Sequence, residues 1–320
     1  MRSTGATDLP AALRLPTGEL ARRAALARSR LSDCTLCPRG CHADRAAGES
    51  RGCRTGALAK VASWGAHNGE EEPLRGWAGS GTVFFAGCSL RCLFCQNFST
   101  SQLCEGRERT DAQLASVFLE LQDAGCHNLN LVTPSHVVPQ VLAALDLAVG
   151  RGFSLPVVYN SSGYDSPEAL ALLDGVVDVY MPDLKYADEE TARRLSGIAG
   201  YPRAAFAAVK EMHRQVGDLV LDARGLAVRG LLVRHLVLPG GLAGSGEVLR
   251  FLAEEVSRET YLNLMDQYRP AFRARSHPPL DRRPTSRELD VAFDVARRLG
   301  LTRLDAPRPL PPPGLPGSGG

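Results

Sequence analysis

The 320-residue sequence holds no apolar run approaching the roughly 18 residues that a membrane span needs. Its N-terminal stretch lacks the apolar core of a secretory signal, and Asp8 and Glu19 argue against reading that Arg-rich start as an organelle transit peptide. Charge of one sign is also missing. The 37 Lys and Arg against 35 Asp and Glu leave a formal net charge of +2, which speaks against a dedicated nucleic-acid partner. The expectation from these absences is a cytoplasmic globular chain with no membrane partner. Thiols stay reduced there, so nine clustered cysteines point to metal rather than to disulfides.

Four regions follow from pattern. Residues 1–33 read as a leader with a short helix, and 34–79 as a Cys-rich, metal-binding segment with little periodicity. Residues 80–305 alternate strand-like and helix-like stretches. The Pro/Gly-rich 306–320 has nothing to bury and is expected to be disordered. In the third region the strands are GTVFFAG (81–87), NLNLVT (128–133), LPVVYN (155–160), VVDVYMPD (176–183), LLVRHLVLP (231–239) and TYLNLMDQY (260–268). Between them run helical spacings such as Leu114, Val117, Phe118 and Leu121, opened by a Thr110/Gln113 capping box. Strands alternating with helices imply parallel βαβ units. Six units fit three quarters of an eight-unit barrel. The fold class expected is therefore α/β, a partial (β/α)6 TIM-like barrel. A doubly wound sheet would give the same pattern, but candidate functional residues fall at strand C-terminal ends, as in a barrel.

The segment GCSLRCLFCQN, directly after the first of these strands, holds Cys88, Cys92 and Cys95 and no fourth cysteine. Disulfides use pairs and a closed structural metal site uses four ligands. Three thiolates suit a [4Fe–4S] cube with one iron left open to a small chelating molecule. A zinc site completed by a distant residue, or loop cysteines with no metal, is the other reading.

C-x3-C-x2-C after the first strand of a six-unit barrel resembles the radical SAM superfamily, here its pyruvate formate-lyase-activating-enzyme-like branch. The stretches NLNLVTPSH, VVYNSSGY, VYMPDLKY, VRHLVLPGG and LNLMDQY extend the likeness over roughly residues 30–300. The resemblance implies an oxidoreductase in which a [4Fe–4S] cluster on Cys88, Cys92 and Cys95 reductively cleaves S-adenosylmethionine (SAM). The resulting 5′-deoxyadenosyl radical abstracts a hydrogen atom. It also implies site residues. Phe94 matches the position against adenine, while Thr133 and Ser135 stand where the superfamily usually places a Gly-Gly-Glu-like segment for the SAM amino group. Asn160 and Ser161 end the third strand. Met181, Asp183 and Lys185 match a Met-x-Asp-x-Lys pattern in the pocket, and Arg234 matches an arginine of the activating enzymes. Gln267-Tyr268 replaces their Tyr-His, which argues for a different substrate. Implied partners are a one-electron reductant of flavodoxin or ferredoxin type and a protein substrate, a glycyl radical enzyme.

Cys34, Cys37, Cys41 and Cys53 form a second set whose C-x2-C-x3-C start reads as a closed metal site. Zinc and an auxiliary Fe–S cluster both take four thiolates, and the sequence does not choose. A non-catalytic iron–sulfur electron-transfer or structural metal protein is the alternative for the whole chain. It needs a fourth ligand for the Cys88 set and has no use for the polar strand ends.

Overall fold

The structure, a computed structural model, describes residues 9–305. The expected disordered tail, 306–320, and the first part of the leader lie outside the described residues. The strands are β1 (Ala59–His67), β2 (Ser80–Phe85), β3 (Arg107–Arg109), β4 (Leu129–Val132), β5 (Val157–Ser161), β6 (Val179–Pro182), β7 (Val220–Leu221), β8 (Ala227–Leu236) and β9 (Tyr261–Met265). The helices are α1 (Glu19–Ser29), α2 (Glu72–Arg75), α3 (Phe98–Ser101), α4 (Asp111–Asp123), α5 (Val138–Val149), α6 (Pro167–Leu173), α7 (Glu189–Ser196), α8 (Tyr201–Val216), α9 (Ser245–Phe251) and α10 (Ser286–Arg298).

The strands join in the order β3-β1-β2-β4-β5-β6-β8-β7, with β9 on β8. The ladders β2–β4, β4–β5, β5–β6, β6–β8 and β8–β9 are parallel. This parallel-rich sheet is the arrangement expected of the partial barrel. Local chemistry sets the helix starts. Thr110 and Gln113 close a capping box on α4, as Thr285 and Glu288 do on α10. Ser166 and Asp188 cap α6 and α7.

Two elements differ from the sequence reading. The segment 34–79 is not free of regular structure, because β1 lies in it and pairs antiparallel with β2. The fifth strand starts earlier than 231, since β8 opens at Ala227 beside β7 and runs on into the parallel ladder. After α9 the chain continues as a π turn over Leu252–Val256.

The two faces of the sheet bury different things. Val83, Leu129, Leu131, Val157, Tyr159, Tyr180 and Val233 share the large core with the helices. On the other face Val158, Val179, Met181 and Leu232 close around Leu74 of α2. Side chains alternate along each strand, so the next inward positions after these apolar ones are polar. They are Asn160 on β5, Asp183 just past β6 and Arg234 on β8.

His235 alternates to the helix side of β8 and is fully buried. Its Nδ1 lies 2.6 Å from the Leu184 carbonyl and its Nε2 2.8 Å from Ser245 Oγ. Burial lowers its pKa to about 4, against 6.5 for a free imidazole. The unfolded chain therefore takes the proton first. This contribution to stability is complete above pH 6.5 and is lost as pH falls toward 4. It is worth about 3 kcal/mol. His136, lowered to about 4 by burial as well, acts in the same window. Denaturation midpoints measured at pH 7 and pH 4.5 are expected to converge by roughly half in His235→Gln. An unchanged acid slope would assign the effect elsewhere.

Candidate cofactor site

The loop after β2 carries the three cysteines and is held from several sides. Arg91 N–H donates to the Ser196 carbonyl (3.0 Å) and Leu93 N–H to that of Leu195 (2.9 Å), both at the end of α7. Arg273 N–H, from the segment after β9, donates to the Leu93 carbonyl (2.9 Å). The sulfurs have polar neighbours. Cys92 Sγ lies 2.9 Å from Ser196 Oγ and Cys95 Sγ 3.1 Å from Ser101 Oγ, while Leu90 N–H donates to Cys88 Sγ (3.3 Å). Tyr186 OH meets Ser196 Oγ at 2.7 Å, so the Cys92 partner is itself oriented.

All three cysteines line one cavity of about 250 Å³, together with Phe94, Thr133, Asn160, Ser161, Asp183, Lys185 and Arg234. The ends of β4, β5, β6 and β8 thus meet the cysteine loop, as the strand-end reading expects. An ion-pair network lines one wall. Asp183 accepts from Lys185 Nζ (2.6 Å) and from Arg234 Nε (2.7 Å), and Arg234 also donates to Asn160 Oδ1 (2.8 Å). Burial pushes the Asp183 carboxyl up, but Arg234 and Lys185 together outweigh it and hold it below the usual carboxylate range. Tyr201 OH fixes the backbone here: it accepts from Lys185 N–H (2.9 Å) and lies 2.8 and 2.9 Å from the Ser162 and Asp183 carbonyls. Gly163 is required beside it. Its φ is +73°, and a Cβ there would come within 2.7 Å of the Asp183 carbonyl oxygen. Thr133 has a φ of +61°, rare for a β-branched residue, and sits in the cavity wall.

Two expected residues do not reach the cavity. Met181 shares the inward face with Asp183 but lies two positions earlier, fully buried against Leu74 and Leu232. Ser135 is 1% exposed and turns its hydroxyl toward the buried Asp165 and Tyr159 instead of the cavity. Sequence reasoning missed Ser101, Ser162 and Gln267, which do line the cavity. Ser162 follows the noted Asn160-Ser161 pair, and Gln267 had been read only as a replacement. Ser101 carries no sequence signal.

The residues fit a [4Fe–4S] cluster with SAM. Among the described residues no three His, Cys, Asp or Glu side chains gather as the ligands of a single ion do. A cube takes one thiolate per iron, so its three ligands stand around a body rather than a point. Burial pushes the Cys88 and Cys92 thiols up, with each cysteine's neighbouring thiols adding to it. Iron is what makes thiolates of such groups. The buried Ser162 Oγ in the cavity wall has no hydrogen-bond partner among the described residues, as suits a group awaiting a polar ligand.

A family-model match agrees with this geometry. The family model described as the Radical SAM superfamily matches residues 82–222, which run from the first parallel strand past its cysteine loop to β7. The uncharacterized protein MJ0674 of Methanocaldococcus jannaschii is 29% identical over 284 residues, covering 86% of this chain and 78% of that protein. A solved structure of TYW1 with a lysine-pyruvate adduct bound superposes with a TM-score of 0.40 at 11% identity, over 69% of this chain and 73% of that one. The stretch that matches the Radical SAM superfamily model includes the cysteine loop and the ends of β4, β5 and β6 that line the cavity. The cofactors typical of that superfamily are a [4Fe–4S] cluster and SAM, which together supply reductive C–S cleavage and the 5′-deoxyadenosyl radical. The match does not extend to the activating-enzyme-like branch. No helix among the described residues is long and apolar enough to cross a membrane.

Proposed function

We propose that this enzyme abstracts a hydrogen atom from a substrate presented at the cavity, using an electron from a flavodoxin- or ferredoxin-type protein. The observation that carries the reading is the single cavity joining Cys88, Cys92 and Cys95 to the Lys185–Asp183–Arg234–Asn160 network. Its division of labour follows from chemistry. The three thiols hold the cluster. Lys185 and Arg234 offer cationic donors to the SAM carboxylate. Asn160, Ser161 and Thr133 offer oxygens to its ammonium group. Phe94, edge-on to Tyr186 and Tyr268, offers an apolar wall for the adenine. The wall formed with Leu90, Leu236 and Met265 limits water around a radical that would react with it.

A glycyl radical enzyme as target is the narrower form of this proposal. It rests on resemblance to the activating-enzyme-like branch, and Gln267-Tyr268 in place of the branch's Tyr-His weighs toward another substrate. Anaerobic reconstitution with iron and sulfide, then dithionite and SAM, is expected to yield methionine and 5′-deoxyadenosine. Protein carrying its four-iron cluster yet making neither would refute the reading.

A further inference from the structure

We infer that Cys34, Cys37, Cys41 and Cys53 form a second, tetrathiolate metal centre, with the buried Arg45 as its charge partner, docked on the loop that carries Cys88. The first observation is Arg45 itself. It is 1% exposed, donates to the Gly56 carbonyl (3.0 and 3.2 Å) and reaches Cys34 Sγ at 3.6 Å, and no carboxylate pairs with it among the described residues. A buried guanidinium without a counter-charge is costly. Four thiolates around Zn²⁺, or around a four-iron cube, carry net negative charge and supply that counter-charge.

The second observation is the backbone. Cys34 N–H donates to the Ala43 carbonyl and His42 N–H to that of Cys34, both at 3.1 Å, which sets Cys34 beside the Cys41 turn. Gly40 N–H closes a tight turn on the Cys37 carbonyl (3.0 Å). Arg45 ties this unit to the strand of chain that follows Cys53, through Gly56. The electrostatic neighbours of Cys37 are Cys53, Cys34 and Cys41, so the four sulfurs share one neighbourhood. They do not meet at one point as placed, and Cys41 Sγ turns toward the Cys34 carbonyl (4.0 Å). Metal binding therefore draws the side chains inward and releases their protons, a coupling common in small thiolate sites.

The third observation is where this unit sits. A Cβ on Gly87, whose φ is +88°, would collide with the Cys53 carbonyl oxygen. Arg39 Nε donates to the Ser89 carbonyl (2.5 Å), and Arg91 reaches the Gly52 carbonyl at 3.5 Å. The Cys34 unit thus presses on Gly87, Ser89 and Arg91, the residues around the first cluster ligand. Ordering the unit with metal orders that loop.

The test measures zinc and iron in anaerobically purified full-length protein carrying Cys88→Ala, Cys92→Ala and Cys95→Ala, which removes the first cluster. About one zinc or about four irons per chain is expected, the first meaning a single ion and the second a cube. X-ray absorption at the metal found is expected to show sulfur ligands only, for zinc four at about 2.3 Å. Neither metal, or a shell with nitrogen or oxygen ligands, would overturn the site. Arg45→Met is expected to weaken metal retention against a chelator about 10- to 100-fold, with Arg45→Lys retaining most of it. Equal retention in all three proteins would overturn the role given to Arg45. Because these readouts need no SAM cleavage, they stand or fall separately from the proposed function.

Discussion

Replacing Cys88, Cys92 and Cys95 together by alanine is expected to abolish 5′-deoxyadenosine formation, and with it any SAM-sensitive [4Fe–4S] signal in electron paramagnetic resonance. The loss is complete rather than partial because the three thiols are the protein's whole hold on the cluster: the rest of the cavity wall offers hydroxyls, amides and ion-paired charges, but no other sulfur save Met265. The fold is expected to survive. The loop is fixed by backbone bonds from Arg91, Leu93 and Arg273, none of which uses a thiol. Cys126→Ala is the control. Cys126 is buried beside Gly81, at the start of β2 and so at the opposite end of the strand from the cysteine loop. A triple variant that still responds to SAM would move the cluster to the Cys34 set.

Much of this site can be read from spacing. A strand followed by C-x3-C-x2-C places three thiols on one loop, and Asp183 and Lys185, two apart, share a face. Parallel strands then bring Asn160, Asp183 and Arg234 to neighbouring strand ends, since each begins a helix crossover on the same side. What spacing does not carry is the support around those groups. Ser196, the neighbour of Cys92, is 104 residues away in sequence, and Tyr201 acts through a hydroxyl at a helix start. Depth is also invisible. Met181 has the right parity but sits a layer too low, where Leu74 already fills the space. Strand β1 was missed because its AKVASWGAH is short of large apolar residues and only partly buried, and its place comes from pairing with β2. Nothing in the sequence marks Arg45 as buried, because burying an arginine depends on what the fold puts beside it.

Asp183→Asn is expected to cost both stability and SAM affinity, and the two losses come from the same charge. Among the described residues Asp183 is the carboxylate hydrogen-bonded to both Lys185 and Arg234, at 2.6 and 2.7 Å, while Glu71 and Glu70 act on Arg234 only through charge. The side chains involved are 15–20% exposed, all toward or beside the cavity. Removing the negative charge leaves two cations facing each other in a confined space, where an asparagine can bond to them but not neutralise them. Breaking such a pair from one side costs about 3 kcal/mol, the low end of the buried range, because the cavity admits some water. Without Asp183, Lys185 and Arg234 lose their fixed directions, and a charge-assisted bond to the SAM carboxylate worth about 1.5–3 kcal/mol is weakened. That corresponds to roughly 10- to 150-fold in SAM affinity. The cluster itself is expected to load normally, since Asp183 is no ligand. Titration of SAM against the reconstituted cluster signal reads the affinity, and denaturant midpoints read the stability. Lys185→Ala separates the roles: it removes a donor to SAM while leaving the Asp183–Arg234 pair in place, so affinity is expected to fall with little change in stability. Unchanged SAM binding in both variants would make the network a structural ion pair and move the carboxylate contact to another strand end.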